Sequence, residues 1–399
     1  MSKKDEVADK KRSINALIQK LNKDAKLEVL TTADRAPNPY SLRYPTGCME
    51  IDLTLGGGFP AGGMSAVSGP DGAGKSLLLY LAMAQYQRFY GHRAAIALAP
   101  IEFIPDYYFM RYCGVNVAVP DEMIAHTNSI RQQRGVPPFT KDEVRQLKSQ
   151  TGEFIIIRGQ TGENTLENVL SCYESNQFGI IGVDSINAFQ SGAEAASEGL
   201  EDTIRQASKA SVLSRFCDRF HPLTLGLRQT NYTALLVTGQ VRANRERANA
   251  PGPMQKYIKP YAEVLPYAIR HAALIRLLIW QGEKIREGKG GPQLGQVRNW
   301  EVTKGKAGTH DGIRGEADFS YEFLFDNFGS VIRAGMTTGV IQEVGGTLSI
   351  VRRYDGAILH KDIPNRQALV QALYADPEFE LRVRYEILAA SGVSCMYRL

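Results

Sequence analysis

The stretch Gly69-Pro70-Asp71-Gly72-Ala73-Gly74-Lys75-Ser76 fits the pattern G-x-x-x-x-G-K-[ST]. A strand-like run, 64–68, leads into it, and an apolar helical run, 77–86, leaves it. This order of elements suits a loop that wraps phosphate. Glycines allow consecutive backbone N–H groups to converge on one anion, and the helix N-terminus adds positive potential. A lysine in the place of Lys75 reaches the terminal phosphates, and a hydroxyl in the place of Ser76 ligates Mg²⁺. Residues Gly69, Pro70, Asp71, Gly72, Ala73, Gly74, Lys75 and Ser76 therefore read as the binding loop for a nucleoside triphosphate.

Outward from the loop, short apolar runs at 94–99, 154–157, 180–183, 234–237 and 273–279 alternate with helical patterns. Continuous apolar strands separated by helices indicate a parallel sheet covered on both faces, so the expected class is α/β with a mostly parallel sheet. In such sheets ligand groups gather at the carboxyl ends of the strands. Gly179-Ile180-Ile181-Gly182-Val183-Asp184-Ser185 ends an apolar strand on a carboxylate, and Asp184 is the candidate to hold the metal. Glu102, just after the run 94–99, is the candidate to orient water. Taken singly, Asp184 also reads as a cap and Glu102 as a surface residue.

Composition narrows the class. The chain has 399 residues with 43% apolar and 22% charged, which excludes disordered and low-complexity classes and fits one large domain with appendages. The net charge of +5 is too small for a generally basic binder, so any nucleic-acid surface must be local. Five scattered cysteines without a C-x-x-C pair argue against a disulfide framework or zinc site. The chain shows no uncharged apolar run of membrane-spanning length and no signal-peptide core, giving the expectation of a soluble cytoplasmic protein.

Residues 1–12 are charged or small and are expected to fray. Ile14, Leu17, Ile18 and Leu21 then mark an amphipathic helix, whose stripe would pack on its own domain or on a neighbouring subunit. The segment 31–39 reads as a linker. Residues 121–150, polar and carrying Pro137-Pro138, interrupt the α/β alternation as a surface insertion. From about Asn327 short β-like runs and charged helices suggest a small α+β domain. The expected division is 1–40, 41–327 and 328–399.

Upstream of the loop stands Thr46-Gly47-Cys48-Met49-Glu50-Ile51-Asp52-Leu53, followed by Leu55-Gly56-Gly57-Gly58-Phe59-Pro60 and Gly63. With the loop, this resembles the opening of the bacterial RecA recombinases, T-G-x-x-x-L-D-x-x-L-G-x-G-G-x-P and then G-P-E-S-S-G-K-T. Glu102 continues through Pro105-Asp106-Tyr107-Tyr108 to Gly114-Val115 and keeps the family's interval from its catalytic glutamate to a G-V pair. Val183-Asp184-Ser185 matches V-D-S. A strand ending in Gln240-Val241-Arg242 is similar to one ending in N-Q-I-R, and Val302-Thr303-Lys304-Gly305-Lys306 resembles V-x-K-N-K. The chain is thus identified as a divergent member of the RecA-type (RecA- and UvsX-like) recombinases, bacterial or viral.

The resemblance implies a RecA-like P-loop ATPase core that takes ATP and Mg²⁺. Lys75, Ser76 and Asp184 would bind phosphate and metal, and Glu102 would activate water. Gln240 would sense the γ-phosphate and signal to the DNA-binding loop after it. Lys304 and Lys306 would reach the phosphates of a neighbouring protomer, and Asp106 with Tyr108 or Phe109 would lie near the adenine. The chain departs from the family in its shorter glycine run, in Phe103 after Glu102, in the order Pro105-Asp106, and in Leu98-Ala99-Pro100-Ile101 before the glutamate.

Residues 241–270 place six cations, Arg242, Arg245, Arg247, Lys256, Lys259 and Arg270, against Glu246 and Glu263, with Tyr257 and Tyr261 interleaved. A flexible basic loop with aromatics suits a single strand of DNA: cations for phosphate, rings for bases. A first, acidic DNA loop is expected in 189–203, with Arg205 and Lys209 as its phosphate contacts. The expected activity is DNA-dependent ATP hydrolysis coupled to homologous pairing and strand exchange by a helical filament on single-stranded DNA. Its partners would be homologous duplex DNA, further copies of the chain, and single-strand-binding and mediator proteins, with no membrane. The alternatives are a hexameric helicase on the same core, and a filament-forming accessory protein that exchanges no strands.

Overall fold

The computed structural model describes residues 3–25, 38–91, 95–117, 121–133, 135–149, 154–190, 202–225, 230–249, 251–255, 260–288, 290–322 and 324–393. A short antiparallel ladder joins β1 (Arg43–Tyr44) to β2 (Phe59–Pro60). The principal strands are β3 (Met64–Ser68), β4 (Ile96–Pro100), β5 (Phe154–Ile156), β6 (Ile180–Asp184) and β7 (Ala234–Gly239). A hairpin of β8 (Val241–Ala243) and β9 (Tyr261–Glu263) follows β7 directly. The strands β10 (Ile275–Arg286), β11 (Gln293–Lys304), β12 (Arg314–Ser320) and β13 (Leu324–Phe325) complete a 9-stranded sheet ordered β13-β12-β11-β10-β3-β7-β6-β4-β5. From β10 to β5 every pairing is parallel, and from β10 to β13 every pairing is antiparallel.

The central parallel strands β3, β4, β6 and β7 are buried on both faces, which is why they read as unbroken apolar runs. Val67, Leu98, Ile180 and Leu236 join one apolar cluster with the helix Lys75–Tyr90. Their chain neighbours Ala66, Ala97, Ile181 and Leu235 join a second, beneath the helices Gly162–Glu174, Asp202–Thr224 and Tyr267–Ala272. The expected mostly parallel α/β sheet is present. Its register sets the carboxyl ends of β3, β4, β6 and β7 along one edge.

A third cluster lies beyond β13. A three-stranded antiparallel sheet, β14 (Ile341–Val344), β15 (Thr347–Val351) and β16 (Ile358–Ile363), packs with the helices Asn327–Thr338, Arg366–Ala375 and Pro377–Ala390. Its tie to the rest of the chain is ionic as well as apolar. The buried Arg384 guanidinium contacts Asp52 at 3.2 Å and Glu380 at 2.9 Å, and Glu380 also receives Arg88 at 2.8 Å. Burial pushes the Asp52 carboxyl up to about 6, against the pull of Arg384.

One segment differs from its sequence reading. The first helix begins at Lys3 rather than near Ser13, because a run rich in Lys, Asp, Glu and Ala adds little cost to a helix already started downstream. Its stripe stays on the surface, with Ile14 56%, Leu17 53% and Leu21 38% exposed. The insertion forms two helices, Asp121–Gln133 and Lys141–Ser149. The second opens on a capping box in which Glu143 accepts from the Thr140 N–H at 2.7 Å and Thr140 Oγ1 accepts from the Glu143 N–H at 3.2 Å. Among the described residues no helix is long and apolar enough to cross a membrane.

Candidate active site

The phosphate loop leaves the end of β3 and turns into the helix Lys75–Tyr90. Gly74 stands at that helix start with φ +101°, a conformation that admits glycine at little cost. Gly69 is required for a different reason: a Cβ there would lie 2.4 Å from the Ile279 carbonyl oxygen of β10. Lys75 Nζ donates to the carbonyls of Gly69 at 2.9 Å and Pro70 at 3.1 Å, which holds the ammonium against the loop. Two side chains from the antiparallel half of the sheet brace the loop from its flank. Arg298 of β11 donates to the Gly72 carbonyl at 3.2 Å, and Gln281 of β10 donates to the Asp71 carbonyl at 3.5 Å.

Asp184 and Glu102 come together because β4 and β6 are neighbours in register, Pro100 opposite Asp184. The Asp184 carbonyl accepts from the backbone N–H groups of Ile101 at 2.7 Å and Glu102 at 3.2 Å. The Ser185 hydroxyl donates to Glu102 Oε2 at 2.5 Å, and the Thr238 hydroxyl of β7 donates to Asp184 Oδ1. The Asp184–Ser185 peptide bond is cis. Glu102 is exposed and borders a polar cleft of about 540 Å³ with Arg158, Gln160, Thr161 and Gln190. A hydroxyl at Ser76 and a carboxylate at Asp184 are hard oxygen donors, the chemistry that suits Mg²⁺.

Gln240 follows β7 at the same edge, and its side chain is exposed. A single amide closes the hairpin behind it. Asn187 Oδ1 accepts from the Gln240 N–H at 2.9 Å, and Asn187 Nδ2 donates to the Val264 carbonyl at 3.0 Å. Val264 N–H in turn donates to the Gln240 carbonyl at 3.1 Å. The basic segment is therefore rooted in a β-hairpin, with short helices Arg245–Asn249 and Gly252–Gln255 inside it, and not a wholly flexible loop. Backbone pairing of Arg242 with Ala262 accounts for the difference. Arg242 and Arg245 are exposed and Arg247 is half-buried. Lys256 and Lys259 lie outside the described residues, as does most of the first loop. Arg205 and Lys209 fall on the helix Asp202–Thr224.

Two of the charges counted with that segment belong elsewhere. Glu263 pairs with Arg276 at 3.2 Å and accepts from the Thr303 hydroxyl at 2.8 Å. Arg270 joins Tyr267, His271, Arg276, Lys304 and Lys306 around a basic hollow of about 390 Å³. This hollow lies where β10 begins, at the sheet edge opposite the one from which the phosphate loop leaves. Lys304 Nζ caps the helix Tyr267–Ala272 by donating to the carbonyls of Arg270 at 3.0 Å and His271 at 2.7 Å. Burial, then Lys306 and Arg276, lower its pKa from the usual lysine value. Asp106 caps the helix Tyr107–Tyr112, accepting from the N–H groups of Tyr108 at 2.9 Å and Phe109 at 3.2 Å. Tyr108 and Phe109 are both exposed.

The sequence assigns no site role to Ser185, Asn187, Thr238, Glu263, Gln281 or Arg298. A polar residue inside Ile186-Asn187-Ala188-Phe189 is the one local signal that could have found Asn187. Thr238, Glu263, Gln281 and Arg298 are polar groups on strands and Ser185 follows one directly, and only the three-dimensional pairing brings them to the site.

No family model matches the chain. Several curated proteins are similar to it over most of its length. It is 24% identical to the RecA protein of Petrotoga mobilis over 301 residues, covering 75% of this chain and 67% of the relative. With the RecA protein of Desulforapulum autotrophicum it shares 25% over 352 residues, 88% of this chain and 83% of that one. With the RecA protein of Salinispora arenicola it shares 23% over 389 residues, 97% and 94% respectively.

Proposed function

Distant homology over most of its length makes this chain a divergent member of the RecA family, and on that premise we propose that it is an ATP-dependent DNA recombinase. In this reading it polymerises on single-stranded DNA, hydrolyses ATP when bound there, and pairs the strand with homologous duplex in the cytoplasm of a bacterium or an infected bacterial host. The observation that carries it is the shared sheet edge: Lys75, Glu102, Asp184 and Gln240 follow four neighbouring strands, and a basic hairpin starts immediately after Gln240.

The residues divide the work. Backbone N–H groups of the loop and Lys75 bind the triphosphate, and Ser76 and Asp184 would hold Mg²⁺, which neutralises phosphate charge when bound. Glu102, oriented by Ser185, accepts a proton from the attacking water. Gln240 meets the γ-phosphate, and its backbone transmits the change to β8 and β9 through Asn187. Arg242, Arg245, Arg247, Lys256 and Lys259 contact the DNA backbone. Lys304 and Lys306, at the edge opposite their own phosphate loop, complete the site of the next protomer as cations supplied in trans. Asp106 caps a helix whose exposed Tyr108 and Phe109 offer a face for adenine. The exposed stripe of the first helix docks on a neighbouring core, a heterologous contact that extends into a filament. Residues 1–40, 41–327 and 328–399 act as oligomerisation arm, ATPase core and small accessory domain.

Joint-molecule formation with homologous and heterologous duplex tests the reading. Homology-dependent products are expected. Homology-independent unwinding would replace it with a helicase. DNA binding without joint molecules would select an accessory filament protein, the reading favoured by Leu98-Ala99-Pro100-Ile101, which lacks the family's carboxylate before the glutamate.

A further inference from the structure

Arg298 is only 4% exposed, and no carboxylate lies within ion-pair distance of it among the described residues. Its contacts are neutral: Nη1 meets Gln296 Oε1 at 3.2 Å, Nη2 meets the Gly72 carbonyl at 3.2 Å, and the guanidinium lies 4.6 Å from the Phe319 ring centre. Nε is buried with no hydrogen-bond partner. That orphan atom faces the phosphate loop, 3.9 Å from where a Cβ on Gly74 would stand. Arg384, by contrast, is buried against two carboxylates, Asp52 and Glu380. A desolvated guanidinium without an anion opposes folding, so its retention calls for a compensating charge.

We propose that Arg298 is a positioning residue of the nucleotide site whose counter-charge is the triphosphate on the loop it braces. The inference rests on the reading of residues 69–76 as an ATP site. Through the Gly72 carbonyl, Arg298 fixes the loop's curvature. Through its charge, it raises the positive potential at the start of the helix Lys75–Tyr90 in the protomer's own site, separately from Lys75. The benefit should therefore grow with the number of phosphates, and the unliganded protein should carry the cost.

The test compares Arg298→Met and Arg298→Lys with the parent protein. Binding of Mg²⁺ complexes of fluorescent ATP, ADP and AMP analogues is titrated, and Tm is measured without nucleotide. Arg298→Met is expected to keep or raise the unliganded Tm while weakening ATP at least about tenfold, with a smaller loss for ADP and least for AMP. Arg298→Lys keeps a cation but not the planar fork and should recover part of the ATP affinity. A lower Tm with unchanged nucleotide affinity would make Arg298 a structural strut and overturn the proposal. Equal losses for ATP, ADP and AMP, or no recovery in Arg298→Lys, would also overturn it. If the parent protein itself fails to bind ATP, the proposed nucleotide site falls first, and this inference with it.

Discussion

The Ser185 hydroxyl lies 2.5 Å from Glu102 Oε2, joining the residue after the candidate metal-binding aspartate to the candidate water-activating carboxylate. Glu102 sits on an exposed turn, so this bond and the backbone bonds of residues 101 and 102 to Asp184 are what aim it. Glu102→Gln is expected to keep ATP binding and lower DNA-stimulated turnover by at least about a hundredfold, the usual share of a general base. Ser185→Ala should lower kcat by about tenfold, the worth of a hydrogen bond to a charged group, with little change in KM. Steady-state ATPase assays with single-stranded DNA check both. Unchanged turnover in Glu102→Gln would remove the residue from catalysis.

Asn187 holds both roots of the hairpin, so Asn187→Ala should separate the two halves of the cycle. Nucleotide affinity without DNA is expected to stay near the parent value. The ratio of single-stranded DNA affinities measured with an ATP analogue and with ADP should fall about tenfold, because the amide's two hydrogen bonds no longer link residues 187, 240 and 264. Asn187→Asp, which keeps the acceptor for Gln240 and loses the donor to Val264, should fall between. An unchanged ratio in both variants would show that the hairpin responds by another route.

If Lys304 and Lys306 serve a neighbour, inactive variants should complement one another. Lys304→Ala and Glu102→Gln proteins should each be nearly inactive alone. Mixed in equal amounts, they should regain about a quarter of parent ATPase, since random head-to-tail contacts create that share of sites with both an intact Glu102 and intact lysines. If Lys304 acted on its own protomer's nucleotide, mixing would restore nothing.

Asp52 gives stability a pH dependence of known sign. Its folded-state pKa is raised by burial to about 6, above the unfolded value. Its favourable contribution is therefore complete below the unfolded value and is lost as pH rises through about 6. Chemical denaturation of the parent and of Asp52→Asn, from pH 4 to 7, should show the parent losing ground relative to the variant as pH rises. At pH 7, Arg384→Met should cost about 3–5 kcal/mol, because it strands the buried Asp52 carboxylate, while Glu380 keeps Arg88. A pH-independent difference between parent and Asp52→Asn would refute the assignment.

Much of the fold was legible because its central parallel strands are buried on both faces. Runs such as 180–183 and 234–237 carry no polar residue to compete with the strand reading, and the glycine-lysine loop announces its own chemistry. The carboxylates were legible for the same reason: Asp184 and Glu102 are the first charged residues past apolar strands. Pairings across distant segments left no local mark. Glu263 looked like a charge within a DNA loop, whereas β9 turns it onto Arg276 and Thr303. The insertion read only as a polar surface segment with no element assigned, and its prolines 137 and 138 separate two helices. Arg298 reads as an ordinary strand residue until β11 brings it against Gly72.

Strand β11 carries Arg298 beside one phosphate loop and Lys304 at its far end, at the opposite sheet edge. If that far end serves the next protomer, a row of n chains contains n − 1 complete nucleotide sites. A lone protomer then has none, and the chain at one terminus always holds an unfinished one. Turnover per chain should rise with filament length and level off, and terminal ATP should outlast internal ATP. Length control and the persistence of one filament end would both follow from the direction in which a single strand runs.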